Sequence, residues 1–157
     1  MSKVLIVIFL FPLLGSAQLE AITNKADLTK IYSLAITDFI KAANKKNKTN
    51  FDTLYIGKRV NGEPDDFPDI NLPKVIEQTQ IRIVTPEVGA KKQKQRKASI
   101  YVNLIGWSTT EYAEFIFVVF SNGLAHQYDY SIKYKYNAKN KVFDLEKLEF
   151  ISLPSGK

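Results

Sequence analysis

The chain is 157 residues long, with 22 Lys and Arg against 16 Asp and Glu, one histidine and no cysteine. That length bounds it to one ordinary domain, and without cysteine such a domain must hold together by packing alone. Disulfides, thiolate metal sites, thiol nucleophiles and redox dithiols are excluded, and so is any metal site needing two histidines, because His126 stands alone.

The first 17 residues read as a secretory signal. Lys3 gives a positive start, residues 4–14 are an uncharged apolar run, and Gly15-Ser16-Ala17 supplies small residues for cleavage after Ala17. The run falls short of the about 20 apolar residues that a membrane helix needs, and no later stretch reaches that length. The mature chain is therefore expected to be secreted or periplasmic, without a membrane span. Residues 18–25 read as a flexible lead-in, residues 26–153 as a single α+β domain, and residues 154–157 as a tail.

From residue 26 to about residue 45 the pattern is helical. Leu28, Ile31, Ala35, Phe39 and Ala42 recur at three- and four-residue steps, and Ile36 and Ile40 widen the stripe. Asn24 is a fitting N-cap, Asp27 suits the positive end of the helix, and Lys45, Lys46 and Lys48 suit the negative end. Residues 51–57 read as a short strand. Residues 61–73 are rich in Asn, Gly, Asp and Pro and read as turns; Asp65, Asp66 and Asp69 there lack the spacing of a calcium loop. Residues 74–77 suggest one helical turn, residues 78–84 a strand, and residues 86–97 a loop.

That loop holds Lys91, Lys92, Lys94, Arg96 and Lys97, five positive charges that account for most of the net charge of +6. The basicity is local. An anionic partner could bind there, but no aromatic residue is interleaved as in single-stranded nucleic-acid sites, so a nucleic-acid partner is not expected.

The last third carries four strand-like runs rich in Tyr, Phe, Ile and Val, at residues 98–107, 111–121, 124–136 and 141–151. Short breaks at Thr109-Thr110, Asn122-Gly123 and Ala138-Lys139 predict two-residue hairpins and an antiparallel meander. Those turns set Leu104 against Phe115, Phe117 against Tyr128, Val119 against His126, and Tyr134 against Phe143. One face then collects Ile100, Val102, Leu104, Phe115, Phe117, Tyr128, Tyr130, Ile132, Tyr134, Phe143 and Leu145. This is the expected core, covered by the helix around Ile31, Ala35 and Phe39. The other face is mixed: Tyr101, Asn103, Ile105, Trp107, Tyr112, Glu114, Ile116, Val118, Phe120 and Asp129, with Ser131 and Lys133. Large apolar groups beside charges suit a ligand or partner surface, or a second layer covered by residues 51–84.

The fold class expected is α+β, with a long N-terminal helix packed on a curved antiparallel sheet. One long helix followed by such a sheet resembles the cystatin-like and NTF2-like α+β rolls over residues 26–151. That resemblance implies a sheet that forms a pocket or a dimer interface. Some members are isomerases or dehydratases, which implies Glu114, Asp129 or His126 as candidate catalytic groups. On the residues themselves, Glu114 and Asp129 are placed as diagonal neighbours about 7–8 Å apart, and Lys133, also diagonal to Glu114, offers a plain cross-strand salt bridge. His126 reads as the cap of the core's end. No cofactor or metal is expected. The function expected is non-enzymatic binding through Tyr101, Asn103, Trp107, Tyr112, Glu114, Ile116, Phe120 and Asp129, with a protein partner, a second copy or a small apolar ligand as occupant. The alternatives are an isomerase or hydro-lyase, and an anion-binding surface protein using residues 91–97.

Overall fold

In the computed structural model, which describes residues 25–48, 50–57, 70–95, 99–108, 111–120 and 126–152, the first element is the helix that the apolar stripe demands. Helix α1 (Lys25–Asn47) buries Ile31, Ala35, Ile36, Phe39 and Ile40, and adds Tyr32 and Ala43 to the stripe. Its outer face is polar, with Ser33 and Thr37 hydroxyls donating back to the carbonyls of Thr29 and Ser33. At its end the Asn47 amide donates to the Ala43 carbonyl at 2.9 Å, and Lys48 turns out of the helix at φ 53°. The signal, lead-in and tail, Asn24, the three aspartates and the Asn122-Gly123 turn lie outside the described residues.

The strands follow as β1 (Thr53–Gly57), β2 (Val75–Ile76), β3 (Thr79–Val84), β4 (Ser99–Ser108), β5 (Tyr112–Phe120), β6 (His126–Asn137) and β7 (Val142–Ser152). They form one seven-stranded sheet in the order β2-β3-β1-β4-β5-β6-β7, curled around α1. The fold is α+β as expected, and β4 to β7 make the expected antiparallel meander. The sheet as a whole is mixed, because β1 runs parallel to both β3 and β4.

Two local expectations change. Residues 75–80 are not a helical turn but a tight hairpin, in which Ile76 pairs with Thr79 and both Glu77 (φ 46°) and Gln78 (φ 66°) are left-handed. That is the backbone of a type I′ turn, built here without the usual Asn and Gly. Residues 86–95 are not a loop but helix α2 (Pro86–Gln95). Thr85 stands before it, Pro86 fills its first position, Glu87 sits at its positive end, and the Gly89 amide donates to the Thr85 carbonyl at 2.9 Å. This helix carries the chain from β3 to β4 across the side of the sheet opposite α1. Residues 51–84 thus extend the sheet, and α2 supplies the second layer.

The hairpins are also longer than two residues. Ser108 pairs with Ala113, Phe120 with His126 and Asn137 with Val142. The registers therefore shift by two, beyond the bulge at Val119/Phe120 in β5–β6 and up to the bulge at Lys133/Tyr134 in β6–β7: Leu104 faces Phe117, Phe117 faces Tyr130, and Tyr136 faces Phe143. A slip of two returns each side chain to the same face, whereas a slip of one would reverse it. This is why the expected core survives the wrong partners. Ile100, Val102, Leu104, Phe115, Phe117, Tyr130, Ile132 and Tyr134 are all buried. Phe39 stacks on Phe117 with ring centres 4.3 Å apart, and Tyr32 meets Phe115 edge-on at 4.9 Å. Leu145 departs from the expectation at 50% exposed, because α1 covers the middle of the sheet and β7 lies at its rim. A bulge at Lys133/Tyr134 then moves Leu148 and Phe150 onto the α1 side of β7, opposite Ile132 and Tyr130.

Candidate functional site

The mixed side of the sheet is ordered in rows across the strands. Nearest α2 runs Tyr55–Tyr101–Phe120, and then Gly57–Asn103–Val118–Asp129–Ile151. Next come Ile105–Ile116–Ser131–Glu149 and Trp107–Glu114–Lys133–Lys147. Charge accumulates with distance from the helix.

Under α2 the first row is sealed at Tyr55 and Tyr101, and Phe120 at its end is half-buried. Tyr101 is fully buried, so it does not belong to an open ligand face. Its ring lies against Gly89 of α2, where a methyl group would overlap it, and its hydroxyl donates to Asn103 Oδ1 at 2.8 Å. Gly57 leaves room for that hydroxyl: a side chain there would come within 2.6 Å of it. Burial, and then the Glu87 carboxylate, push the Tyr101 phenol up to about 12. Phe120 packs beside it with ring centres 5.5 Å apart.

Beyond that row the face is neither sealed nor fully open. Asn103, Ile105, Tyr112, Glu114, Ile116, Val118, Asp129, Ser131 and Lys133 are all half-buried. Trp107 stands opposite Glu114 in the sheet. Lys133 lies directly opposite Glu114 rather than diagonal to it. Its ammonium sits 4.3 Å over the Tyr112 ring and 3.4 Å from Glu146 Oε2. Glu114 accepts the Ser131 hydroxyl at 3.2 Å. Lys135 adds a second ammonium 5.8 Å from the Tyr112 ring centre. Sequence reasoning missed Lys135 and Glu146; the signal for Lys135 was its place across from Tyr112, which a correct register supplies.

The paired-carboxylate geometry does not form. Val118 pairs with Asp129 and Glu114 with Lys133, so the two acids stand four residues apart along the strands, about 13 Å. His126 pairs with Phe120, past a bulge, rather than with Val119. Lys91 and Lys92 are exposed on α2, Lys94 lies on the same helix, and Arg96 and Lys97 fall outside the described residues.

Among the described residues, three clefts lie elsewhere. One of about 460 Å³ lies between the start of α1 and the β6–β7 connection, lined by Ile31, Leu34, Tyr136 and Phe143 together with Lys30 and Lys141. Others of about 400 Å³ and 440 Å³ lie beside the Glu77-Gln78 turn and outside the β6–β7 hairpin. None of the three is lined by Glu114 or Asp129. Among the described residues no three acidic or histidine side chains gather as metal ligands, and no helix is long and apolar enough to cross a membrane. Comparison of the chain with protein-family models, curated proteins and solved structures finds no match.

Proposed function

We propose that this is an exported binding module that holds a partner on the sheet face beside α2. The observation that carries this reading is the half-buried apolar strip Ile105, Ile116 and Val118, set between the row sealed at Tyr55 and Tyr101 and the charged Glu114–Lys133 row. An apolar strip with a polar rim is the anatomy of a protein or small-ligand contact. The helix-on-curled-sheet architecture fits the cystatin-like and NTF2-like rolls, in which the sheet forms such a surface. The signal-like first 17 residues support a working place outside the cytosol.

The test replaces Ile105, Ile116 and Val118 together by threonine, which keeps β-branching and removes apolar area. The wild-type protein should bind a fluorescent apolar probe at dilutions where it is monomeric, and the triple variant should lose that binding with unchanged circular dichroism. A wild-type chain that ignores the probe, or a variant that binds it undiminished, overturns the reading.

A second reading draws on Lys91 and Lys92, which stand exposed together on α2. It makes that helix the docking point for an anionic partner. Retention on heparin should then fall with salt and vanish when Lys91, Lys92, Lys94, Arg96 and Lys97 become glutamine.

A further inference from the structure

The two edges of the sheet are treated differently. At one end β2 is two residues long, too short to template another strand. At the other end β7 runs eleven residues with no strand beyond it among the described residues, and Val142, Leu145, Leu148, Phe150 and Ile151 are all exposed, between 38% and 50%. Asp144, Glu146, Lys147 and Glu149 interrupt these apolar residues, and the Lys46 ammonium lies 3.5 Å from the centre of the Phe150 ring, so the edge suits only a strand whose charges and apolar groups match its own.

We infer that β7 pairs antiparallel with β7 of a second copy, about a two-fold axis passing between Glu146 and Lys147. The sequence of the strand is self-complementary in that register. On the α1 side Phe143 meets Phe150 and Leu145 meets Leu148 of the second copy. On the other side Val142 meets Ile151, and at the axis Glu146 meets Lys147. The bulge at Lys133/Tyr134 makes this possible. It places Phe143 and Leu145, before it, on the same side as Leu148 and Phe150, after it. A strand without the bulge would set those pairs on opposite faces. One pair opposes like charges, Asp144 with Glu149. Lys147 already contacts Glu149 Oε1 at 2.6 Å, and Asn137 donates to Asp144 Oδ2 at 2.9 Å, so both carboxylates have partners within their own chain. Isologous pairing closes as a dimer, whereas an edge that accepts any strand leads to open aggregates. This inference does not rest on the proposed binding face: that face lies on the broad side of the sheet, and the pairing uses its rim.

The chain's lack of cysteine allows a test of register as well as of association. Sedimentation of the purified protein should give the mass of a dimer, and the threonine triple variant of the binding face should still dimerise. Two single variants, Leu145→Cys and Leu148→Cys, are then made at exposed positions. In the inferred register the Cα at position 145 of one copy lies about 5 Å from the Cα at position 148 of the other. Like positions are three residues out of register, about 10 Å apart, beyond the roughly 7 Å limit for a disulfide. An equimolar mixture of the two variants should oxidise to a covalent dimer of mixed composition, while each variant alone should not. A monomeric protein, a dimer whose mixture cross-links no better than the separate variants, or a dimer lost with the binding-face variant overturns the inference.

Discussion

Strand β1, at the centre of the parallel part of the sheet, and strand β5, in the antiparallel half β5-β6-β7, are built from similar residues but solvated differently. Every residue of β1 is buried, including Thr53 and Gly57, because α1 covers one side and α2 the other. Strand β5 instead alternates without exception between buried and half-buried residues. Parallel strands need a crossover, and the crossover here is a helix that closes the second face; antiparallel strands turn back without one and leave that face available. The place where α2 stops is therefore the place where a binding surface can begin.

The contrast can be broken most strongly within β5. Phe117→Ala removes a fully buried ring stacked on Phe39, and should cost about 3–5 kcal/mol in urea unfolding. Ile116→Ala, one residue away on the half-buried side, should cost about 1–2 kcal/mol. Equal losses would show that the second face is as sealed as the first. The parallel half is probed by Gly89→Ala. In an open helix that change would gain about 1 kcal/mol. Against the Tyr101 ring it should lose about 1–3 kcal/mol. A gain in the denaturation midpoint would mean that α2 does not lie on the sheet.

Smaller effects sharpen the same division. The Thr53 hydroxyl is buried without a hydrogen-bond partner, so Thr53→Val should raise stability by about 1 kcal/mol in the same unfolding assay. Alkaline pH reads both halves at once. Burial raises the phenols of Tyr101 and Tyr130 to about 12, and raises those of Tyr32 and Tyr134 as well, the Tyr134 hydroxyl also donating to Asp38 at 2.7 Å. An unfolded tyrosine titrates near 10. Above that pH the unfolded chain loses protons that the folded chain keeps, so stability should be level with respect to these groups below about pH 10 and fall as pH rises toward about 12. Unfolding midpoints followed at about pH 8, 10 and 11 check the sign. Tyr134→Phe should shallow the decline.

The core face was legible in the sequence because alternation is robust: a slip of two residues in each hairpin leaves Leu104, Phe115, Phe117, Ile132 and Tyr134 on the correct side. Partners were not legible, since register depends on connection length, and short polar breaks do not state their length. Glu114 and Asp129 are neighbours only on the register of the shorter turns and separate on the observed one. Helix α2 was missed because its apolar content is low and its basic run resembles a loop, although Thr85-Pro86-Glu87 is a start signal. Its Gly89 weakens a helix in isolation, yet here it is the contact with Tyr101. The parallel pairing of β1 was hidden for a different reason: both neighbours lie later in the chain, and nothing local to residues 53–57 names them.

The late arrival of both partners of β1 governs how the chain reaches its fold. Strand β1 is made early but waits for β3 and for β4, and α1 waits longer still for its floor of β5 and β6. Contacts so distant in sequence carry a loop-closure cost before they stabilise anything, and they slow folding. The N-terminal third therefore has no stable resting place until the C-terminal meander exists. A nascent chain of this design therefore gains its stability late, once nearly all of it has emerged.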